Sequence, residues 1–227
     1  SSATTVVVAG KFDEATVFEK IEKSFYDVSS GSKHSKLKTL ESQIKPAVLV
    51  RHKQSDQTHL ILAVRGYDIF HPDQYVLEVL SGVLGGGMSS RLFQKIREEM
   101  GAAYYVRSSA DSYTDHGCFD VAVGADHKKV FEVISAILGE FKKLKDIKVG
   151  DQELQIAKDF IIGNMFLGLE TSDSIANFYG SQELLKRHLL NPEEIALKIM
   201  AVTAEDIRRV ASDIFVDSKL NLALIGP

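Results

Sequence analysis

The stretch Ser89-Ser-Arg-Leu-Phe-Gln-Lys-Ile-Arg-Glu-Glu-Met-Gly-Ala-Ala-Tyr-Tyr-Val106 constrains this chain more than any other. It reads as a short helix, capped at Ser89 or Ser90, that stops at Gly101 and passes straight into a strand. The junction sets Arg97 at the end of the helix and Tyr104 at the start of the strand. A guanidinium and a phenol at one such corner can both donate hydrogen bonds to a peptide carbonyl. Spacing alone does not separate this from a helix-end arginine placed for the dipole and a strand tyrosine with a wet tip.

The rest of the chain sorts into strands and helical blocks. Thr4–Ala9 reads as a buried strand closed by Gly10, and Asp13 opens a helix to about Phe25. Asp27–Lys45 is rich in Ser, Lys and Gly and reads as an exposed connection. Strands are expected over Ala47–Lys53 and Thr58–Gly66, and a helix over Asp73–Leu84 ended by Gly85-Gly-Gly87. Tyr104–Ser112 and Gly117–Gly124 form a hairpin in which Phe119, Val121 and Val123 face one side. Helices follow over Lys128–Lys145 and Gln152–Leu189, the latter broken near Gly168–Ser172. Asn191-Pro192 and Thr203-Ala-Glu-Asp206 start two more. Lys219–Ile225 closes the chain as a strand. Hairpins beside helical blocks, without regular βα alternation, predict an α+β fold: a largely antiparallel sheet with helices packed on one face. Residues 1–227 read as one domain, since no linker or repeat divides them.

Composition narrows the function. The net charge of −4 and the scattered 27 Lys and Arg argue against a nucleic-acid partner. No apolar run reaches the ~18 residues of a membrane span. The single cysteine, Cys118, excludes an internal disulfide, leaves the compartment open and reads as a buried small hydrophobe beside Phe119. The chain starts without Met or a signal peptide and is soon in the apolar run Val6-Val-Val-Ala9, the look of a domain cut from a longer polypeptide, or of a processed one.

No metal motif is present. The seven histidines include no i, i+4 pair on a helix, and none has a Glu at zinc-peptidase spacing. His52 and His59, on what read as adjacent strands, lack a third ligand. Leu84-Gly-Gly-Gly-Met-Ser-Ser90 follows a helix and lacks a GKS or GKT ending, so it reads as a terminator between helices, or a loop where a peptide backbone can approach closely, rather than a phosphate cradle. No G-x-S-x-G elbow occurs, and the paired glutamates Glu98-Glu99 and Glu193-Glu194 read as solvated helix turns.

Several ordered motifs together carry a resemblance. They are Val6-Val-Val-Ala-Gly-Lys-Phe-Asp13, Val64-Arg-Gly-Tyr67, His71-Pro-Asp-Gln-Tyr75, Leu84-Gly-Gly-Gly-Met-Ser-Ser-Arg-Leu-Phe93, Ile96-Arg-Glu-Glu99, Gly101-Ala-Ala-Tyr-Tyr-Val106, Val202-Thr-Ala-Glu-Asp206 and Leu222-Ala-Leu-Ile-Gly-Pro227. From Thr4 to Gly226 the chain resembles the C-terminal domain of a half-molecule in the pitrilysin/insulinase-type zinc peptidase family, which includes mitochondrial processing peptidase. In that family two related halves enclose a chamber. One half bears zinc on H-x-x-E-H; the other supplies an Arg and a Tyr, seven residues apart, that hold the substrate backbone. The resemblance implies that Arg97 and Tyr104 are that pair and that Gly85, Gly86 and Gly87 form a short version of a glycine-rich substrate loop. It implies no catalytic residue and no metal ligand in this chain, because H-x-x-E-H is missing. Zinc is expected upstream in the same polypeptide or on a partner subunit, and the implied partners are that homologous zinc-bearing half and a peptide. The alternatives within the family are a structural subunit that cleaves nothing and a peptide-binding module without hydrolysis.

Overall fold

The computed structural model describes residues 4–29, 31, 36–186 and 188–227. The chain divides into two compact units, one of residues 1–38 and 165–191, the other of residues 39–164 and 192–227.

The smaller unit is helical. Helix α1 (Glu14–Phe25) starts where the Asp13 carboxylate accepts the Thr16 N–H at 2.9 Å. Helix α5 (Ser172–Leu185) starts at Thr171, whose hydroxyl oxygen accepts the Ser174 N–H at 3.3 Å. The buried Gln182 side chain holds both backbone groups of Leu190. The strand expected over Thr4–Ala9 does not form; Val6, Val7 and Val8 are each about two-fifths exposed. A β-branched run becomes a strand only beside another strand, and this unit contains none among its described residues.

The larger unit carries five strands: β1 (Ala47–His52), β2 (Thr58–Gly66), β3 (Ala103–Ser112), β4 (Gly117–Ala125) and β5 (Asn221–Gly226). Their order is β1-β5-β2-β4-β3. All pairs are antiparallel except β1 with β5. One face of the sheet is covered by α2 (Gln74–Gly85), α3 (Val130–Asp146) and α7 (Ala204–Ile214), with α6 (Pro192–Met200) beside them. Alternate strand residues Leu60, Leu62, Val64, Phe119, Val121 and Val123 are all at most 4% exposed and form the sheet half of the core. Phe119, Phe141 and Phe215 knit sheet to helices, with ring centroids 3.9 to 6.5 Å apart. The cover stops short of β1, where Val48 and Val50 stay 66% and 49% exposed. Thr203 and Asp206 form the expected reciprocal cap of α7. Helix α4 (Asp151–Leu167) has residues 151–164 in this unit.

Candidate functional site

The corner between helix and strand is wound differently from the expected α-helix. After one turn at Arg91 and Leu92 the chain becomes a π-helix over Phe93–Glu99, and the Met100 N–H reaches back five residues to the Lys95 carbonyl (3.1 Å). π-Turns carry wide, poorly packed rings and persist where the surroundings hold them. Here Leu92, Ile96 and Ala102, all within 1% of full burial, supply that hold. Gly101 stops the helix with φ +52°, and the Ala102 N–H closes the end on the Ile96 carbonyl at 2.9 Å. The Lys129 ammonium donates to the Met100 carbonyl (2.8 Å), and the Asp126 N–H to the Ala102 carbonyl (3.0 Å). Ser90 begins the helix through its own carbonyl, which takes the Gln94 N–H; its hydroxyl donates to Gly87 instead of capping.

Arg97 and Tyr104 project from this clamped backbone. Arg97 is exposed, its guanidinium carbon 4.9 Å from the centre of the Phe93 ring. That contact holds the charge in place and leaves its N–H donors free. Tyr104 is 62% exposed. It is the extra residue of a β-bulge: Ala103 pairs with Ala125 and Tyr105 with Gly124, so Tyr104 has no partner on β4. A bulge of this kind turns a side chain off the regular alternation. Among the described residues neither Arg97 nor the Tyr104 hydroxyl has a hydrogen-bond or ion-pair partner.

The glycine run behaves in three ways. Gly85 is buried in the last turn of α2, where a methyl group would sit 2.6 Å from the Ser108 backbone nitrogen. Gly86 caps that helix against Gly82. Gly87 alone lines an open cleft, with Met88, Ile156 and Phe160 among its neighbours. Beside it Arg91 forks onto Glu153 (2.6 and 2.9 Å), which ties the corner helix to α4. The hydrogen bonds it donates to Glu153 raise the Arg91 pKa above its ordinary value.

His52 and His59 do not meet. Strand β5 lies between β1 and β2, and the register places Arg51, not His52, in the row of His59; His52 faces the opposite side. His34 falls outside the described residues. Cys118 is half-buried on the uncovered side of the sheet rather than in the core with Phe119, and burial pushes its thiol pKa up. Among the described residues no three His, Cys, Asp or Glu side chains stand together as a metal site would require.

The family model described as the peptidase M16 inactive domain matches residues 1–160. The chain belongs to this family. A Bacillus subtilis relative named uncharacterized zinc protease YmxG is 32% identical over 98% of this chain and 53% of its own length. A protease from Helicobacter pylori shares the fold with a TM-score of 0.87 at 22% identity, over 96% of this chain and 54% of that one. A peptidase M16 inactive domain from Pseudomonas fluorescens gives 0.83 at 19% identity, over 95% and 52%. This M16 chain therefore spans about half the length of the relatives it matches.

The uncovered face of the M16 sheet holds residues that motif reading missed. Across the strands, Tyr105, Gly124, His59, Ile225 and Arg51 form one row; Arg107, Ala122, Ile61, Ala223 and Leu49 form the next. The Tyr105 ring lies over Gly124, and its hydroxyl is 3.1 Å from His59 Nδ1. The alternation Tyr105-x-Arg107 on one strand and His59-x-Ile61 on another was the available signal.

Proposed function

We propose that this chain is the zinc-free half of a metallopeptidase and that Arg97 and Tyr104 hold an extended substrate backbone for cleavage by a zinc site on another domain or subunit. The reading is carried by two solvent-facing, unpaired donors on a corner whose backbone is clamped by buried residues. Residues on rigid elements present their donors with little reorganisation, which is what positioning a substrate demands. The guanidinium can grip a peptide carbonyl through two N–H groups, and the phenol adds a third donor or steadies charge developing on the carbonyl oxygen. Gly87 borders the cleft next to this corner in sequence, while Gly85 and Gly86 serve it through close packing. Zinc bound elsewhere would polarise the scissile carbonyl and activate water; the described residues offer it no ligand set. Nor is any described helix long and apolar enough to cross a membrane. A pure scaffold has no use for two unsatisfied donors of this kind.

The test reconstitutes the chain with its zinc-bearing half and follows peptide cleavage. Arg97→Ala is expected to lower kcat/KM by about 10²-fold, the usual cost of one positioned donor, and Tyr104→Phe by about 10-fold. Assembly, read by size-exclusion chromatography, stays intact. Wild-type cleavage by both variants would remove the positioning role.

A further inference from the structure

On the uncovered sheet face, the small residues Ala122 and Ala223 flank Ile61, Gly124 lies beside His59, and this largely apolar floor is bracketed by Arg107 on β3 and Arg51 on β1. The trough amounts to about 330 Å³. Both arginines are exposed, and neither has an ion-pair partner among the described residues. His59 lies between them in the sheet, joined to Tyr105. The nearest carboxylate on the same face, Asp120, is half-buried and already accepts the Ser109 hydroxyl at 2.8 Å. Further along, Arg65 is neutralised by Glu41. One end of the face is thus cationic and the other, where Asp111 and Asp120 stand beside the Arg65–Glu41 pair, is acidic.

From this we infer that the open sheet face is a subsite for an acidic stretch of the substrate peptide, with Arg51 and Arg107 as the residues that select it. The inference rests on the reading that this chain handles peptide. Unpaired arginines beside an apolar floor match a segment that brings carboxylates and small or apolar side chains together. The volume lies at the low end of the roughly 300–1,000 Å³ typical of ligand sites. It suits a few residues of extended chain rather than a folded domain, which needs about 800 Å² per partner. Two arginines and a histidine are also too few for a polyanion held by many phosphate contacts.

The decisive experiment compares three fluorescein-labelled decapeptides of Gly, Ala and Ser that carry Glu-Glu, Gln-Gln or Lys-Lys at the centre. Binding to this chain is read by anisotropy, and cleavage by the complex reconstituted with the zinc-bearing half is measured alongside. The Glu peptide is expected to bind about 3- to 10-fold more tightly than the Gln peptide, the range that one or two exposed ion pairs supply. That ratio should shrink with added salt. In the Arg51→Gln, Arg107→Gln double variant it falls to about one. In the Arg51→Glu, Arg107→Glu double variant the preference passes to the Lys peptide, which also shows that the altered face is still folded. A ratio that stays at its wild-type value in either double variant overturns the inference. So does loss of assembly with the zinc-bearing half at an unaltered ratio, because the face would then be an interdomain contact. Arg97→Ala separates the two claims: it should slow cleavage of all three peptides alike without changing their binding ratio. If Arg97→Ala cleaves normally while the ratio still answers to Arg51 and Arg107, the corner reading fails and the subsite stands.

Discussion

The two faces of one sheet are built from alternate residues of the same strands, yet they obey different rules. On the covered face Leu60, Leu62, Phe119, Val121 and Val123 meet the helices with almost no exposure. On the open face their immediate neighbours are His59, Ile61, Asp120, Ala122 and Gly124, mixed in size, charge and burial. The first set is interchangeable chemistry packed to high density. The second set is specific chemistry with room around it. A strand residue therefore declares its task by its parity, and the pleat keeps stability and recognition apart without separate elements. Tyr104 is the exception that tests the rule, because the bulge at Ala103–Tyr105 takes it out of both sets.

The largest effect should come from the covered face. Phe119→Ala removes a fully buried ring in contact with Phe141 and Phe215, and is expected to cost about 3–5 kcal/mol in chemical denaturation. Ile61→Ala, on the same sheet but 47% exposed, should cost no more than about 1 kcal/mol. Similar losses for the two would mean that something covers the open face, and the contrast between the faces would collapse.

Much of the covered face was legible in the sequence, because burial imposes a period. Phe119, Val121 and Val123 alternate, and Thr203 with Asp206 spells out a capping box. The Gly101 stop was equally readable, since few other residues adopt its φ of +52°. What escaped has a physical cause in each case. The π-winding over Phe93–Glu99 leaves no mark in apolar spacing, as one turn of α and one of π bury the same Leu92 and Ile96. The bulge is hidden because Tyr104 and Tyr105 are both good strand formers, so nothing shows which one leaves the ladder. Insertion of β5 between β1 and β2 is a long-range pairing, and it alone separates His52 from His59. The run Val6-Val-Val8 has strand chemistry but no neighbour in its unit. Arg97 and Tyr104 were found by spacing and resemblance; Arg51 and Arg107 needed the register.

Two glycines sharpen the comparison at intermediate cost. A methyl group added at Gly85, beneath the covered face, would meet the Ser108 backbone nitrogen at 2.6 Å. Backbone in mid-sheet cannot yield, and Ser108 is further pinned by its hydroxyl, which donates to the Ser81 carbonyl at 2.8 Å. Gly85→Ala should therefore destabilise by about 2–3 kcal/mol. On the open face, a methyl at Gly124 would meet Gln57 Oε1 at 2.4 Å and the Tyr105 ring at 2.5 Å. One is the tip of a side chain and the other the edge of a ring that is 39% exposed, neither of them backbone, so Gly124→Ala should cost less, about 1 kcal/mol. Its signature would be loss of the Tyr105–His59 contact, visible as a change in the chemical shifts of the His59 ring. Equal penalties would show the open face to be as rigidly packed as the covered one.

The smallest effect concerns charge. Asp120 sits half-buried on the open face, and burial raises its carboxyl pKa above the ordinary value, with the Asp111 charge adding to the rise; the Ser109 hydroxyl and Arg107 act in the other direction. A carboxyl whose folded pKa lies above its unfolded value of about 3.9 favours folding while protonated. That contribution is present in full below the unfolded pKa and is lost as pH rises through the folded pKa. At pH 7 the native protein therefore carries a partly desolvated carboxylate that an amide would avoid. Asn at this position also keeps an oxygen to accept from Ser109. Asp120→Asn should raise the melting temperature by about 1 °C at pH 7, the scale of a surface-level change in a chain of this size. The advantage should shrink as pH falls through the folded pKa towards the unfolded carboxylate range, where Asp120 becomes neutral too. A lower melting temperature at pH 7 would show instead that attraction between Asp120 and Arg107 outweighs desolvation. Arg107 would then be a paired structural cation, and the open face would lose the unpaired charge that distinguishes it from the covered one.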